Sequence, residues 1–187
     1  MFAAVAFYPS LTYNIIRNYL QPKRWPWYSR IDETVLLGAL PFQSMTKEFL
    51  KENVGGVVCC TEDYELRAGW RVMRESDWTS RSIAFHRVPM KDFTGTTSVA
   101  NIHGAVEFIN KIGKTGKSVY VVVLYVHCKA GRSRSAMIVL CYVMHKKDWM
   151  PNVAFDYLTM KRSQVIFRTE HWKSINDYRQ FLDSHKH

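Results

Sequence analysis

The sequence predicts an α/β fold, with a central, mostly parallel sheet of about five strands flanked by helices. Three observations predict it. Val57-Val58-Cys59-Cys60 and Val119 to Val126 are apolar runs without polar alternation, as expected of strands buried on both faces of a parallel sheet. Segments of helical periodicity lie between the candidate strands. The second run passes through a short, Gly-containing loop into a long apolar stretch, Ala136 to Met144, which is a strand–loop–helix junction.

In chain order, Ile31 and Val35 to Leu37 suggest short edge strands. Ser44 is placed to cap a helix from about Met45 to Asn53, with Phe49 and Leu50 facing inward and Gly55-Gly56 ending it. The Val57 run is the next strand. Residues 66–82 are polar and irregular, and Ile83 to Pro89 is a further strand. Val99, Ile102, Val106 and Ile109 mark a helix over 98–112, which Gly113 and Gly116 break. Asp148 and Trp149 close the central helix, and Pro151 opens another at its favoured first position. Trp172, Ile175, Tyr178 and Leu182 share one face of a last helix from His171.

The totals bound the partners. The chain has 187 residues, the length of one domain with a short appendage. A net charge of +10 favours an acidic partner such as anionic lipid or a phosphorylated substrate, and no nucleic-acid motif is present. Cysteines at 59, 60, 128 and 141 form no disulfide framework, which fits a reducing compartment. Residues 1–26 form a basic, aromatic arm, and 27–187 the single domain. No Asp or Glu occurs before Asp32. That composition suits a mitochondrial targeting segment, an interfacial membrane helix or a helix packed on the domain, and no stretch is long enough to span a bilayer. The expectation is a retained, membrane-associating arm.

The chemistry concentrates in Val126-His127-Cys128-Lys129-Ala130-Gly131-Arg132-Ser133-Arg134-Ser135. Loop N–H groups and a helix N-terminus form an anion site. A thiol there has a lowered pKa, so Cys128 is the candidate nucleophile. Arg134 can hold a phosphate through two parallel hydrogen bonds, and Ser135 can donate to the departing sulfur. Asp92, after the strand that ends near Pro89, is the candidate general acid. Glu62, Asp63, Tyr64 and Glu65 follow another strand, where they either hold a basic group of the site or form a solvated helix start.

The loop resembles the Cys-x5-Arg-Ser signature of the cysteine-based phosphatases. Further segments narrow the likeness: Phe7-Tyr8-Pro9, Trp27-Tyr28, Leu36-Leu37-Gly38-Ala39-Leu40-Pro41, Glu62-Asp63-Tyr64-Glu65, Asp92-Phe93-Thr94-Gly95 and Trp149-x-Pro151. Together they resemble the mitochondrial protein-tyrosine-phosphatase-like phosphatidylglycerophosphatases. The resemblance implies a dual-specificity phosphatase fold and dephosphorylation of phosphatidylglycerophosphate in cardiolipin biosynthesis, at the mitochondrial inner membrane. It implies no cofactor or metal, an anionic phospholipid substrate and a monomer. Residue by residue, it makes Cys128, Asp92, Arg134 and Ser135 catalytic. It makes Lys129, Ala130, Gly131, Arg132, Ser133, Glu62, Asp63, Tyr64, Glu65 and Arg168 substrate-binding. A dual-specificity protein phosphatase and a phosphate-binding pseudophosphatase are the alternatives.

Three departures stand out. Asp63 replaces a Glu, which shortens its reach. Thr97 replaces a frequent Pro, which predicts a looser acid loop. The run before Cys128 is several residues longer than the family's, which predicts that Leu124 to Val126 keep the central-strand register while Val119 to Val121 overhang or bulge.

Overall fold

A computed structural model describes residues 12, 15–22, 24–61, 71–90, 95–122 and 133–185. Its centre is a five-stranded sheet in the order β1-β2-β5-β3-β4. The strands are β1 (Tyr28–Arg30), β2 (Val35–Gly38), β3 (Val54–Cys59), β4 (Ala84–Arg87) and β5 (Ser118–Val122). Among the described strands of this sheet, β1 and β2 pair antiparallel and the other pairs are parallel. Helices α1 (Thr46–Lys51) and α2 (Glu75–Thr79) cover one face. Helices α3 (Val99–Gly113), α4 (Arg134–Lys147), α5 (Pro151–Lys161) and α6 (Thr169–Ser184) build the other.

The pleat sorts the side chains. Val35, Leu37, Val58, Cys60, Val119 and Val121 face α3–α6, while Leu36, Val57, Cys59, Tyr120 and Val122 face α1 and α2. Helix α4 is buried from Ser135 to Met144, which explains a helix apolar on every side. Its last turn carries His145, Lys146 and Lys147, complementing the negative end of its dipole.

The register expectation for β5 is overturned. Val119 to Val121 do not overhang; they pair with β2 on one side and β3 on the other. The anchor is Tyr120. Its ring lies 4.6 Å from that of Phe49, and its hydroxyl donates to the carbonyl of Ala39. A shift by one residue would turn this ring to the opposite face. Leu124 to Val126 lie outside the described residues.

Three smaller corrections concern the first helix. A 3-10 turn, Gln43–Met45, precedes α1, so Ser44 sits inside the turn and does not cap the helix. Phe49 is buried, but Leu50 is 61% exposed, because the short helix turns only one residue per turn to the sheet. Gly55 and Gly56 belong to β3, where a Cβ on Gly55 would come within 2.4 Å of the Lys117 side chain.

Asp32 ties the edge of the sheet to α4. Its Oδ1 accepts the N–H groups of Thr34 and Val35, and its Oδ2 accepts from Tyr142 and Lys146, each at 2.9 Å. Burial alone would raise this carboxyl, but the four donors hold it below its ordinary range.

Candidate active site

The carboxyl ends of β3, β4 and β5 are joined by hydrogen bonds. β3 ends at Cys59, and the Cys60 N–H donates to the Val122 carbonyl at 3.0 Å, so the ends of β3 and β5 are joined. The Val88 N–H donates to the Cys59 carbonyl at 2.9 Å, which adds the end of β4. The ends of β3, β4 and β5 therefore lie side by side, at the carboxyl ends of parallel strands where α/β folds bind ligands.

Of the site residues the sequence singles out, Ser133, Arg134, Ser135 and Arg168 are described. Cys128, Lys129, Ala130, Gly131, Arg132, Asp92, Glu62, Asp63, Tyr64 and Glu65 lie outside the described residues. Ser133 is the N-terminal flanking residue of α4, and its Oγ donates to the Ile166 carbonyl at 2.8 Å. That bond pins the start of the helix to the α5–α6 loop. The first turn of α4 holds Arg134 and no acid, so the helix end remains attractive to anions. Ser135 is wholly buried, and its Oγ has no hydrogen-bond partner among the described residues. Cys60 faces this region, and burial pushes its thiol well up, with the neighbouring Cys59 adding and the Arg134 guanidinium opposing.

The acid loop is gripped at its exit. Gly95 has φ +67°, and a Cβ there would sit 2.9 Å from Arg134 Cγ and 3.2 Å from His171 Nε2. Only a residue without a side chain fits both the backbone angle and the space. The loop expected to be looser, residues 91–94, lies outside the described residues. At its far side the Thr97 hydroxyl donates to the Pro89 carbonyl and accepts from Asn101 Nδ2 at 2.9 Å. A proline at 97 would have no hydroxyl to do this.

Arg168 is exposed and precedes α6, and its N–H donates to His171 Nδ1 at 3.3 Å. His171 is buried. Burial lowers its pKa, the nearby Arg168 and Arg134 charges add to that, and Glu170 opposes it.

Comparison with known proteins decides the family. Residues 49–181 match the dual specificity phosphatase catalytic domain, which is more than half of the chain. The chain belongs to the dual-specificity phosphatases. It is 39% identical over 178 residues to the Rattus norvegicus phosphatidylglycerophosphatase and protein-tyrosine phosphatase 1, covering 94% of this chain and 89% of that one. It is 35% identical over 176 residues to the Arabidopsis thaliana phosphatidylglycerophosphate phosphatase PTPMT1, covering 94% of this chain and 49% of the longer plant protein. The crystal structure of PTPMT1 in complex with PI(5)P superposes with a TM-score of 0.77 at 34% identity, over 84% of this chain and 97% of that one.

Among the described residues, Ser133 fixes the N-terminal end of α4, Gly95 fits closely against Arg134, and Thr97 joins Pro89 to Asn101. Sequence reasoning missed Gly95, Thr97 and His171 as site-building residues. A glycine three residues after an acid at a strand end was a usable signal for the first. His171 carried none, since its relation to Gly95 exists only across some 76 residues of chain.

Proposed function

We propose that this phosphatase dephosphorylates phosphatidylglycerophosphate to phosphatidylglycerol, a step of cardiolipin biosynthesis, at the mitochondrial inner membrane. What carries the reading is the near full-length identity to the rat enzyme named for that activity. The PTPMT1 neighbour bound to PI(5)P supports an anionic phospholipid as substrate.

In this reading the Cys128 thiolate attacks phosphorus while the phosphorus–oxygen bond to the glycerol breaks. The proton of Asp92 goes to the leaving oxygen, leaving a phosphocysteine. Loop N–H groups and Arg134 stabilise the three equatorial oxygens. Water then attacks phosphorus and gives its proton to the Asp92 carboxylate. The sulfur leaves as thiolate with Ser135 donating to it, and inorganic phosphate is released. Lys129, Ala130, Gly131, Arg132 and Ser133 complete the phosphate loop, Glu62 to Glu65 line its wall, and Arg168 adds a positive charge at the rim.

Residues 1–26 serve as a membrane-associating arm on the 27–187 domain, which works as a monomer. In support, Ile15, Ile16, Tyr19 and Leu20 expose apolar surface on the described part of the arm. The arm is also tied to the domain: Arg162 Nη1 donates to the Pro26 carbonyl at 3.2 Å, and Gln164 Nε2 to that of Arg24 at 3.3 Å.

The test follows inorganic phosphate release from phosphatidylglycerophosphate in mixed micelles, beside a phosphotyrosine peptide. Wild type is expected to release phosphate from the lipid with weak peptide turnover, and Cys128→Ser to lose at least ~10³-fold. Strong peptide turnover without lipid turnover would make the chain a protein phosphatase instead.

A further inference from the structure

Beside the arm lies a cleft of about 460 Å³, a size typical of ligand sites, to which the proposed mechanism gives no part. Ile15, Pro26, Trp27, Tyr28, Phe42 and Met45 form its walls, and all of them are among the described residues. Polar groups in those walls are already engaged with the backbone. Asn18 Nδ2 donates to the Trp25 carbonyl and Trp27 Nε1 to the Leu40 carbonyl, each at 2.8 Å. The rings of Trp27 and Phe42 stand 5.4 Å apart. The walls thus present mainly aromatic and aliphatic carbon, which suits a ligand that gains by leaving water. Glu48 is the one acid among the described lining residues, and Lys47 and Lys51 stand on the same helix.

The cleft sits at the edge of the sheet that carries the phosphate site. Just past the end of β2, the Ala39 N–H donates to the Trp27 carbonyl at 3.0 Å, and Gly38 of β2 pairs with Val122 of β5. One strand separates β1 from β5, so these two lie ~10 Å apart. Arg162 Nη1 donates to the Pro26 carbonyl, while the Ile166 carbonyl accepts from Ser133 at the start of α4. The same short loop, residues 162–166, therefore holds one wall of the cleft and the helix end that attracts anions. The outer surface of the arm fits the same kind of ligand. Ile16, Tyr19 and Leu20 are exposed beside Ile15, Arg17 lies among them, and no Asp or Glu occurs before Asp32. Apolar surface with basic charge complements an anionic phospholipid.

We propose that this cleft is an acyl-chain subsite, seating one hydrocarbon chain of the anionic phospholipid whose terminal phosphate enters the site at α4. The inference rests on the reading of phosphatidylglycerophosphate as substrate. Such a subsite makes turnover depend on chain length, because each methylene moved from water into the cleft strengthens binding by roughly 3- to 4-fold. Binding remote from the reacting bond then counts in kcat/KM.

The test follows phosphate release from dibutyryl and dihexanoyl phosphatidylglycerophosphate, both kept below the concentration at which they form micelles. No lipid surface is then present. Each kcat/KM is divided by that on p-nitrophenyl phosphate, which carries no chain. Wild type is expected to favour the six-carbon lipid by about 10-fold. Ile15→Glu places a charge at a wall position that is 45% exposed, and Met45→Trp fills the cleft. In both, the preference is expected to fall below about 3-fold. In parallel, phosphatidylglycerol with a photoreactive diazirine at the end of one acyl chain is cross-linked to the wild type. Mass spectrometry is expected to place the label within residues 15–28 and 42–48. Equal turnover of the two lipids, a preference that survives both substitutions, or label confined to other segments would overturn the proposal. Any of these results with lipid turnover intact leaves the phosphatase reading standing. No release from either lipid, with label still mapped to the cleft, overturns the substrate reading alone.

Discussion

At the scale of single residues, the site depends on polar atoms whose surroundings are unequal. Ser135 is the sharpest case. Its hydroxyl is buried at the start of α4 with no partner among the described residues. A buried hydroxyl left so costs stability unless a later state uses it. In the proposed mechanism that state is the one in which sulfur leaves phosphorus as a thiolate. A hydrogen bond to a charged group contributes ~1.5–3 kcal/mol, so Ser135→Ala is expected to slow breakdown of the phosphocysteine by roughly 10- to 100-fold. The measurement is stopped-flow turnover of p-nitrophenyl phosphate. A burst followed by a slow steady state, with kcat/KM much less affected than kcat, is the expected signature. Equal falls in both parameters would place the role of Ser135 in binding or in the first step. Arg134 and Ser135 were legible from the sequence because the loop motif is local. Gly95 was quoted there only as part of a family likeness, since its contact with Arg134 joins residues 39 positions apart.

At the scale of elements, local pattern located helices and strands well, and packing decided their details. The periodicity over 98–112 became α3, with Ser98 Oγ accepting the Asn101 N–H at 3.2 Å. Pro151 stands first in α5 as expected. What the pattern could not supply was the register of β5. Val119 to Val126 is apolar throughout, so no alternation marks which residue belongs to which face. Tyr120 settles it through a partner in β2's following turn and an aromatic neighbour in α1. The acid loop repeats the lesson. Thr97 read as a lost proline; in the fold its hydroxyl joins Pro89 to Asn101. Thr97→Val keeps the shape and removes the two hydrogen bonds. It is expected to cost ~1–2 kcal/mol, lower Tm by roughly 3–7 °C and speed amide exchange over residues 89–98. Unchanged exchange in that segment by mass spectrometry would mean that the clasp does not hold the loop.

At the scale of the whole molecule, stability is spread over ionisable groups that folding shifts in opposite directions. His86 and His171 are both lowered, each chiefly by burial. A lowered folded-state pKa means stability that is present above the unfolded value, ~6.5 for histidine, and lost as pH falls towards the folded value. Asp32 is lowered too, its four donors outweighing burial, so a second loss follows in stronger acid. On the alkaline side Cys141 and Tyr178 are raised by burial, and Tyr142 is pushed up to about 12, again chiefly by burial. Raised acids stabilise fully below their unfolded values, ~8.5 for Cys and ~10 for Tyr, and the benefit fades above them. Thermal unfolding between pH 4 and 11 is therefore expected to show a plateau near pH 7–8.5 with losses on both sides. His171→Gln is expected to flatten part of the first acid decline. A profile flat from pH 8 to 5 would contradict the assignment of the buried histidines.

By itself the sequence determined the α/β class, the parallel strands and the family, and it singled out the Cys128-x5-Arg134-Ser135 motif as the candidate site. These features are written in contiguous residues or in short periodic patterns, and local chemistry is enough to state them. Only the tertiary structure decided the register of β5, the seating of Gly95 on Arg134, the Thr97 clasp, the Asp32 tie between sheet and α4, and the placing of His171. Each joins residues far apart in the chain, and nothing in the residues themselves encodes the partner. A polar side chain acquires its task when folding removes water and leaves one particular neighbour within reach.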